Sequence, residues 1–168
     1  GLTLAISAVL ASTNISFATD SRITNTGEID TINGKTFENI DISAKGNVQD
    51  GYGSGVYNTG TINSITNNTY SSNTAVNGGG LYNSGLINAI ENAVFSNNTA
   101  LQNGGAIYNA TSEASGIQEI VSAEFTGNKA TMGGAIYNDN ILGFNAYKGN
   151  VNFTNNSAKQ GGAIYNSE

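Results

Sequence analysis

The chain has 168 residues, a formal net charge of −6, and no cysteine, proline, histidine or tryptophan. Without Cys or His it lacks disulfides, thiolate chemistry, the commonest general base and the commonest transition-metal ligand. Only 6 basic residues are present and they form no cluster, so no nucleic-acid partner is expected.

In chain order, the first feature is an apolar run from Leu2 to Leu10, followed by the small residues Ser16 and Ala18. Such a run is too short to cross a bilayer and suits the core of an export signal. Residues 1–18 therefore read as a signal-peptide remnant cleaved after Ala18, or else as an N-terminal cap on the repeats. Residues 19–168 read as a single repeat region. Asn (27 residues) and Gly (22) dominate the chain, a bias that also occurs in disordered proteins. Regular order along the sequence argues against disorder.

The repeat begins with Ile29, Ile32 and Phe37. The same spacing returns at Ile62, Ile65 and Tyr70, at Ile87, Ile90 and Phe95, and at Ile117, Ile120 and Phe125. From Tyr70 onward each aromatic opens the pattern aromatic-x-x-Asn-x-Ala, ending at Phe153, Asn156 and Ala158. A second phrase occurs five times, its last four copies coming eight or nine residues after these aromatics. It runs Gly53-Ser54-Gly55-Val56-Tyr57-Asn58, then Gly78-Gly79-Gly80-Leu81-Tyr82-Asn83, then Gly-Gly-Ala-Ile-Tyr-Asn from Gly104, Gly133 and Gly161. Successive copies are offset by 25, 26, 29 and 28 residues.

Each unit offers three short strands, at the paired Ile, at the aromatic and at Ala-Ile-Tyr, with no helical periodicity. One unit holds too few apolar side chains to close a core, but stacked units place each above its counterpart. The expected architecture is all-β: a right-handed parallel β-helix of about five coils, 25–30 residues each, with three faces. The repeat-defining residues are Phe95, Phe125 and Phe153; Asn98, Asn128 and Asn156; and Gly104, Gly105, Gly133, Gly134, Gly161 and Gly162. The Gly-Gly steps suit a corner at positive φ or with little inner room. Asn98, Asn128 and Asn156 are expected to form an amide ladder that controls register. Ile107 and its equivalents should point inward. The alternating Tyr82, Tyr108, Tyr137 and Tyr165, with Tyr57, should stand outside or at a corner as a candidate binding ladder.

Gly-Gly-Ala-Ile at Gly104, Gly133 and Gly161, alternating with Phe-x-x-Asn at Phe95, Phe125 and Phe153, resembles the paired signature of the polymorphic outer-membrane proteins. These are autotransporters of Gram-negative bacteria. The resemblance is clear over residues 70–168 and degenerate over 23–69. It implies a secreted β-helical passenger displayed on the cell surface and commonly adhesive, binding a host or bacterial surface protein or glycan. It also implies a C-terminal membrane barrel in the full-length protein. The sequence holds no such barrel and stops inside a repeat at Asn166-Ser167-Glu168, so it reads as a fragment whose open end would associate or aggregate.

Catalytic alternatives are weaker. Carboxylate pairs for glycoside chemistry are conceivable at Glu28 with Asp30, Asp30 with Asp41, or Glu119 with Glu124. The insertions 110–116 and 139–147 carry only Glu113, Asp139 and nearby Lys148. Arg22, the single arginine, lies outside the repeated phrases, and no His activates a Ser or Thr. Asp50 and Asp139 could offer oxygens to calcium, but no repeated ligand pattern supports this. The expectation is an adhesin-type passenger with no enzyme activity, cofactor or metal. A β-helical polysaccharide lyase or hydrolase, or a purely structural spacer, is the alternative.

Overall fold

The computed structural model describes residues 3–6, 10–15, 21–110, 116–139 and 146–167, the first two stretches by their backbone alone. Ser16, Ala18 and Glu113 lie outside the described residues. Short strands rich in Ile, Val, Thr, Phe and Tyr stack coil upon coil into parallel sheets. One sheet has seven strands: Thr3–Ile6, Arg22–Asn25, Val56–Asn58, Leu81–Asn83, Ile107–Asn109, Ile136–Asn138 and Ile164–Asn166. A six-stranded sheet carries the paired Ile, on Glu28–Asn33, Thr61–Thr66, Leu86–Glu91 and Gly116–Val121, with Leu10–Ile15 and Ala146–Lys148 at its edges. A five-stranded sheet carries the aromatics: Thr36–Glu38, Thr69–Ser71, Val94–Ser96, Glu124–Thr126 and Asn152–Thr154. The fold is thus the expected parallel β-solenoid. Its five aromatic rungs bound four full turns, close to the five coils read from the repeats.

Register follows the repeated phrases residue for residue. Phe95 pairs with Tyr70 on one side and Phe125 on the other, and Phe125 with Phe153. Their rings stack at centroid separations of 4.4, 5.0 and 4.9 Å. Val56, Leu81, Ile107 and Ile136 form a second buried column, and the two Ile of each long strand form two more. The Ile of each such pair are three residues apart, and both intervening residues stay outside the core. Phe153 and Ile164, expected to be buried, are only partly so, since no later rung covers them among the described residues.

Three further features depart from the sequence reading. First, Ile23-Thr24-Asn25 pairs with Val56-Tyr57-Asn58, making a sixth copy of that phrase with Thr in place of Tyr. Arg22 therefore lies inside the repeat, buried at 5% exposure. Second, a short fourth side exists. Thr74–Asn77 pairs with Thr99–Asn103, and isolated bridges continue it from Thr99 to Lys129 and on to Ser157. Third, the Gly-Gly step divides its two tasks. Gly104, Gly133 and Gly161 hold positive φ (69°, 66° and 62°), whereas Gly105 and Gly134 do not. The second glycine is needed for close approach: a Cβ on Gly134 would lie 2.1 Å from the Gly162 carbonyl oxygen. The Ala or Gly that follows, such as Gly80, faces the aromatic column, 3.2 Å from the Phe95 ring at an added Cβ.

Two more corner columns use the left-handed region. Gly34, Asn67, Asn92, Ser122 and Gly149 form one; Asn39, Ser72, Asn97, Gly127 and Asn155 form the other. Gly pays no steric cost there, and Asn is the side chain that tolerates it best. In the Asn97-Asn98 and Asn155-Asn156 pairs the first residue turns the chain and the second bonds to a neighbouring coil.

Candidate binding surface

The inward half of each repeat phrase is occupied by packing and hydrogen bonding. Asn98 and Asn128 are fully buried, and Asn156 partly. The Asn98 side-chain amide donates to Asn128 Oδ1 at 3.0 Å, and Asn128 donates to Asn156 Oδ1 at 3.0 Å. Each amide also donates to the backbone of the aromatic one coil earlier: Asn128 to the Phe95 carbonyl at 3.0 Å, Asn156 to that of Phe125 at 2.9 Å. Phe-x-x-Asn is therefore one device, in which the Asn of one coil grips the backbone of the previous Phe.

A second amide ladder escaped the sequence reading. It is made by the Asn that ends Tyr-Asn. Asn25, Asn58, Asn83, Asn109 and Asn138 each donate to the next member, at 2.8, 2.8, 2.9, 2.8 and 3.2 Å, reaching Asn166. The repeated Tyr-Asn dipeptide was the available signal, but Asn at a strand end is ordinarily read as a turn residue.

The Tyr column lies on the opposite face of the same strands from Val56, Leu81, Ile107 and Ile136. Tyr57, Tyr82, Tyr108, Tyr137 and Tyr165 stack at 5.3, 5.0, 4.8 and 5.3 Å between successive ring centroids, with interplanar angles from 9° to 18°. Tyr52 also stacks on Tyr82, at 4.8 Å. Stacking hides the ring faces, so the row is less open than expected. Tyr57 and Tyr137 are buried at 8% exposure, and Tyr82, Tyr108 and Tyr165 are half-buried. Arg22 closes the row at one end, its guanidinium 5.1 Å from the Tyr57 ring centroid. That guanidinium is fixed by donating to the carbonyls of Gly53, Gln49 and Tyr52. Burial raises the Tyr82 phenol to about 12 and moves Tyr57, Tyr108 and Tyr137 the same way. Tyr57, Tyr82, Tyr108 and Tyr137 are therefore neutral at physiological pH and present ring edges and hydroxyls rather than charge.

The carboxylates are dispersed over the surface. Glu28 is exposed and Asp30 half-buried on one strand, where Asp30 accepts a hydrogen bond from Asn63 at 3.3 Å. Asp41 accepts from the backbone and hydroxyl of Ser43. Glu119 is ion-paired with Lys148, not set against Glu124. Asp139 accepts from Ser167 and from Tyr108, the latter at 3.5 Å. Among the described residues no three of His, Cys, Asp or Glu come together as a metal site.

Residues 92–110, 122–139 and 150–167 match the family described as the Chlamydia polymorphic membrane protein repeat. No curated protein and no solved structure matches the chain. Each matched stretch starts at or near the corner before the aromatic, takes in the ladder Asn and the Gly-Gly step, and ends just after Tyr-Asn. The paired Ile87 and Ile90, and Ile117 and Ile120, fall outside the matches. Repeats of this family imply an autotransporter-type passenger at the outer membrane, in a group of generally non-enzymatic surface proteins. Three coils of this solenoid are thus similar to the Chlamydia polymorphic membrane protein repeat.

Proposed function

We propose that the chain is the adhesive passenger of a Gram-negative surface protein, exported by the apolar segment at residues 1–18. It binds a protein or glycan on a host or neighbouring cell through the ladder of Tyr82, Tyr108, Tyr137 and Tyr165. The observation that carries this reading is the continuous row of stacked tyrosines along one face. Tyr suits recognition because it gives a large amphipathic contact with little freedom to lose. Here stacking has already removed most of that freedom before any partner arrives. A spacer would need no such row on its outside, since the inner Ile and Phe columns already hold the coils together.

The test is adhesion of the purified chain to cultured epithelial cells, compared with a Tyr82→Ala/Tyr108→Ala variant. Circular dichroism is used to confirm that both are folded. The expected outcome is loss of most cell binding with the β-sheet spectrum retained. Equal binding by the folded variant would remove the Tyr row from the adhesive surface and favour the spacer.

A further inference from the structure

The short fourth side carries a groove of about 620 Å³ that is separate from the Tyr row. Ala100, Ala130 and Ala158, one per coil, line it between two outer columns, the side chains of Ala100 and Ala130 being buried. One wall is the column Thr99, Lys129 and Ser157, and the other is Leu101, Thr131 and Lys159. Lys129 and Lys159 are both exposed, and neither is ion-paired among the described residues, whereas Lys148 is held by Glu119. On a chain with a net charge of −6, two unneutralised ammonium groups thus meet at a single concavity.

We propose that this groove binds an acidic glycan, a β-1,4-linked uronate chain lying parallel to the solenoid axis. Three observations select that chemistry. The lysines belong to successive coils and stand on opposite walls. A β-1,4-linked chain turns successive rings over, putting successive carboxylates on opposite edges, and one ring advances about as far as one ~4.8 Å coil. The exposed Leu101 suits the C–H face of a sugar ring, and the Thr and Ser hydroxyls along the walls suit the sugar hydroxyls. The groove is also unsuited to an added peptide strand. Its backbone N–H groups are already taken by neighbouring coils: Ala100 donates to Lys129, Ala130 to Ser157 and Lys159 to Thr131.

The probe is an oligomer of β-1,4-linked mannuronate, titrated into the full chain by calorimetry at low and high salt. Binding is expected, weakening as salt screens the lysines. Both cations are exposed, so Lys129→Gln and Lys159→Gln should each weaken it by about threefold, and the pair by about tenfold. The Tyr82→Ala/Tyr108→Ala variant should bind the oligomer as the parent does, which separates this site from the adhesive reading above. The proposal is overturned by absence of binding, by equal binding of a neutral mannose oligomer, or by an undiminished double Lys variant. Tighter binding of a sulfated oligomer through the same two lysines would also overturn it, by assigning the groove to sulfate.

Discussion

Asn128 shows how much a single side chain does in this fold. Its amide donates to the Phe95 carbonyl and to Asn156, and its oxygen accepts from the backbone and side chain of Asn98, all at 3.0 Å. Asn128→Ala would leave a buried N–H and a buried C=O without partners, at ~1–3 kcal/mol each. The expected loss is therefore about 2–5 kcal/mol in urea unfolding, far more than truncating an exposed Asn. The glycines give a matched pair of tests. Gly134→Ala puts a methyl 2.1 Å from the Gly162 carbonyl oxygen, so two backbones must separate. Gly127 holds φ of 67° at a position where Asn39, Asn97 and Asn155 occupy equivalent corners. An added Cβ there meets only the movable Asn97 side-chain oxygen, at 2.4 Å. Gly127→Asn should then change stability by no more than about 1 kcal/mol, while Gly134→Ala should cost more, on the order of 2–4 kcal/mol. Similar melting of the two variants would contradict the division of labour between corner and close-approach glycines.

At the scale of the element, the Tyr column should reveal itself in alkali. An unfolded chain ionises its tyrosines near pH ~10, whereas burial holds Tyr82 as a phenol up to about 12. The folded value is the raised one, so this contribution to stability is complete below about pH 10. It declines as pH climbs toward 12. Melting temperature should thus fall between about pH 10 and about pH 12, and native phenolate absorbance should rise later than that of the denatured chain. Native titration at the unfolded position would show that the column is open to water. The columns also explain what is legible in the sequence. Ile and Phe inside, Tyr on the other face and the Asn98–Asn128–Asn156 ladder can all be read, because period-2 alternation and fixed spacing determine which counterpart lies above which. The Tyr-Asn ladder is hidden by the abundance of Asn, a residue with an equally good reason to sit in turns. The sixth copy is hidden because Arg22-Ile23-Thr24-Asn25 keeps the inward Ile and Asn but lacks both glycines and the tyrosine. The fourth side is hidden because spacing slips there. Thr74–Asn77 is one residue shorter than Thr99–Asn103, and Asn103 Oδ1 is buried without a hydrogen-bond partner among the described residues.

For the whole molecule, contacts between successive coils make stability close to a sum over coils and their interfaces. Excision of residues 78–103 joins Asn77 to Gly104, and brings Val56 under Ile107, Tyr70 under Phe125 and Asn73 under Asn128. That shortened chain is expected to fold with the same circular dichroism shape and a smaller urea m-value, since less surface is exposed on unfolding. Removal of residues 78–90 instead breaks the phase of every column and should abolish cooperative unfolding. Equal behaviour of the two deletions would mean that register is not what holds the coils together. The amide ladders add a directional property. In both of them every amide-to-amide bond runs the same way, each NH2 group giving a hydrogen to the amide oxygen of the later coil and each oxygen accepting from the earlier one. Reversing one amide would set oxygen against oxygen on one side and NH2 against NH2 on the other, so a ladder can reverse only as a whole. The backbone N–H groups of Asn73, Asn98 and Asn128, each donating to an oxygen of the next coil's Asn, select one of the two senses. Each ladder is consequently an aligned chain of dipoles through a low-dielectric interior, in which each bond polarises the next. The solenoid thereby has an electrical head and tail along its axis that is independent of its net charge.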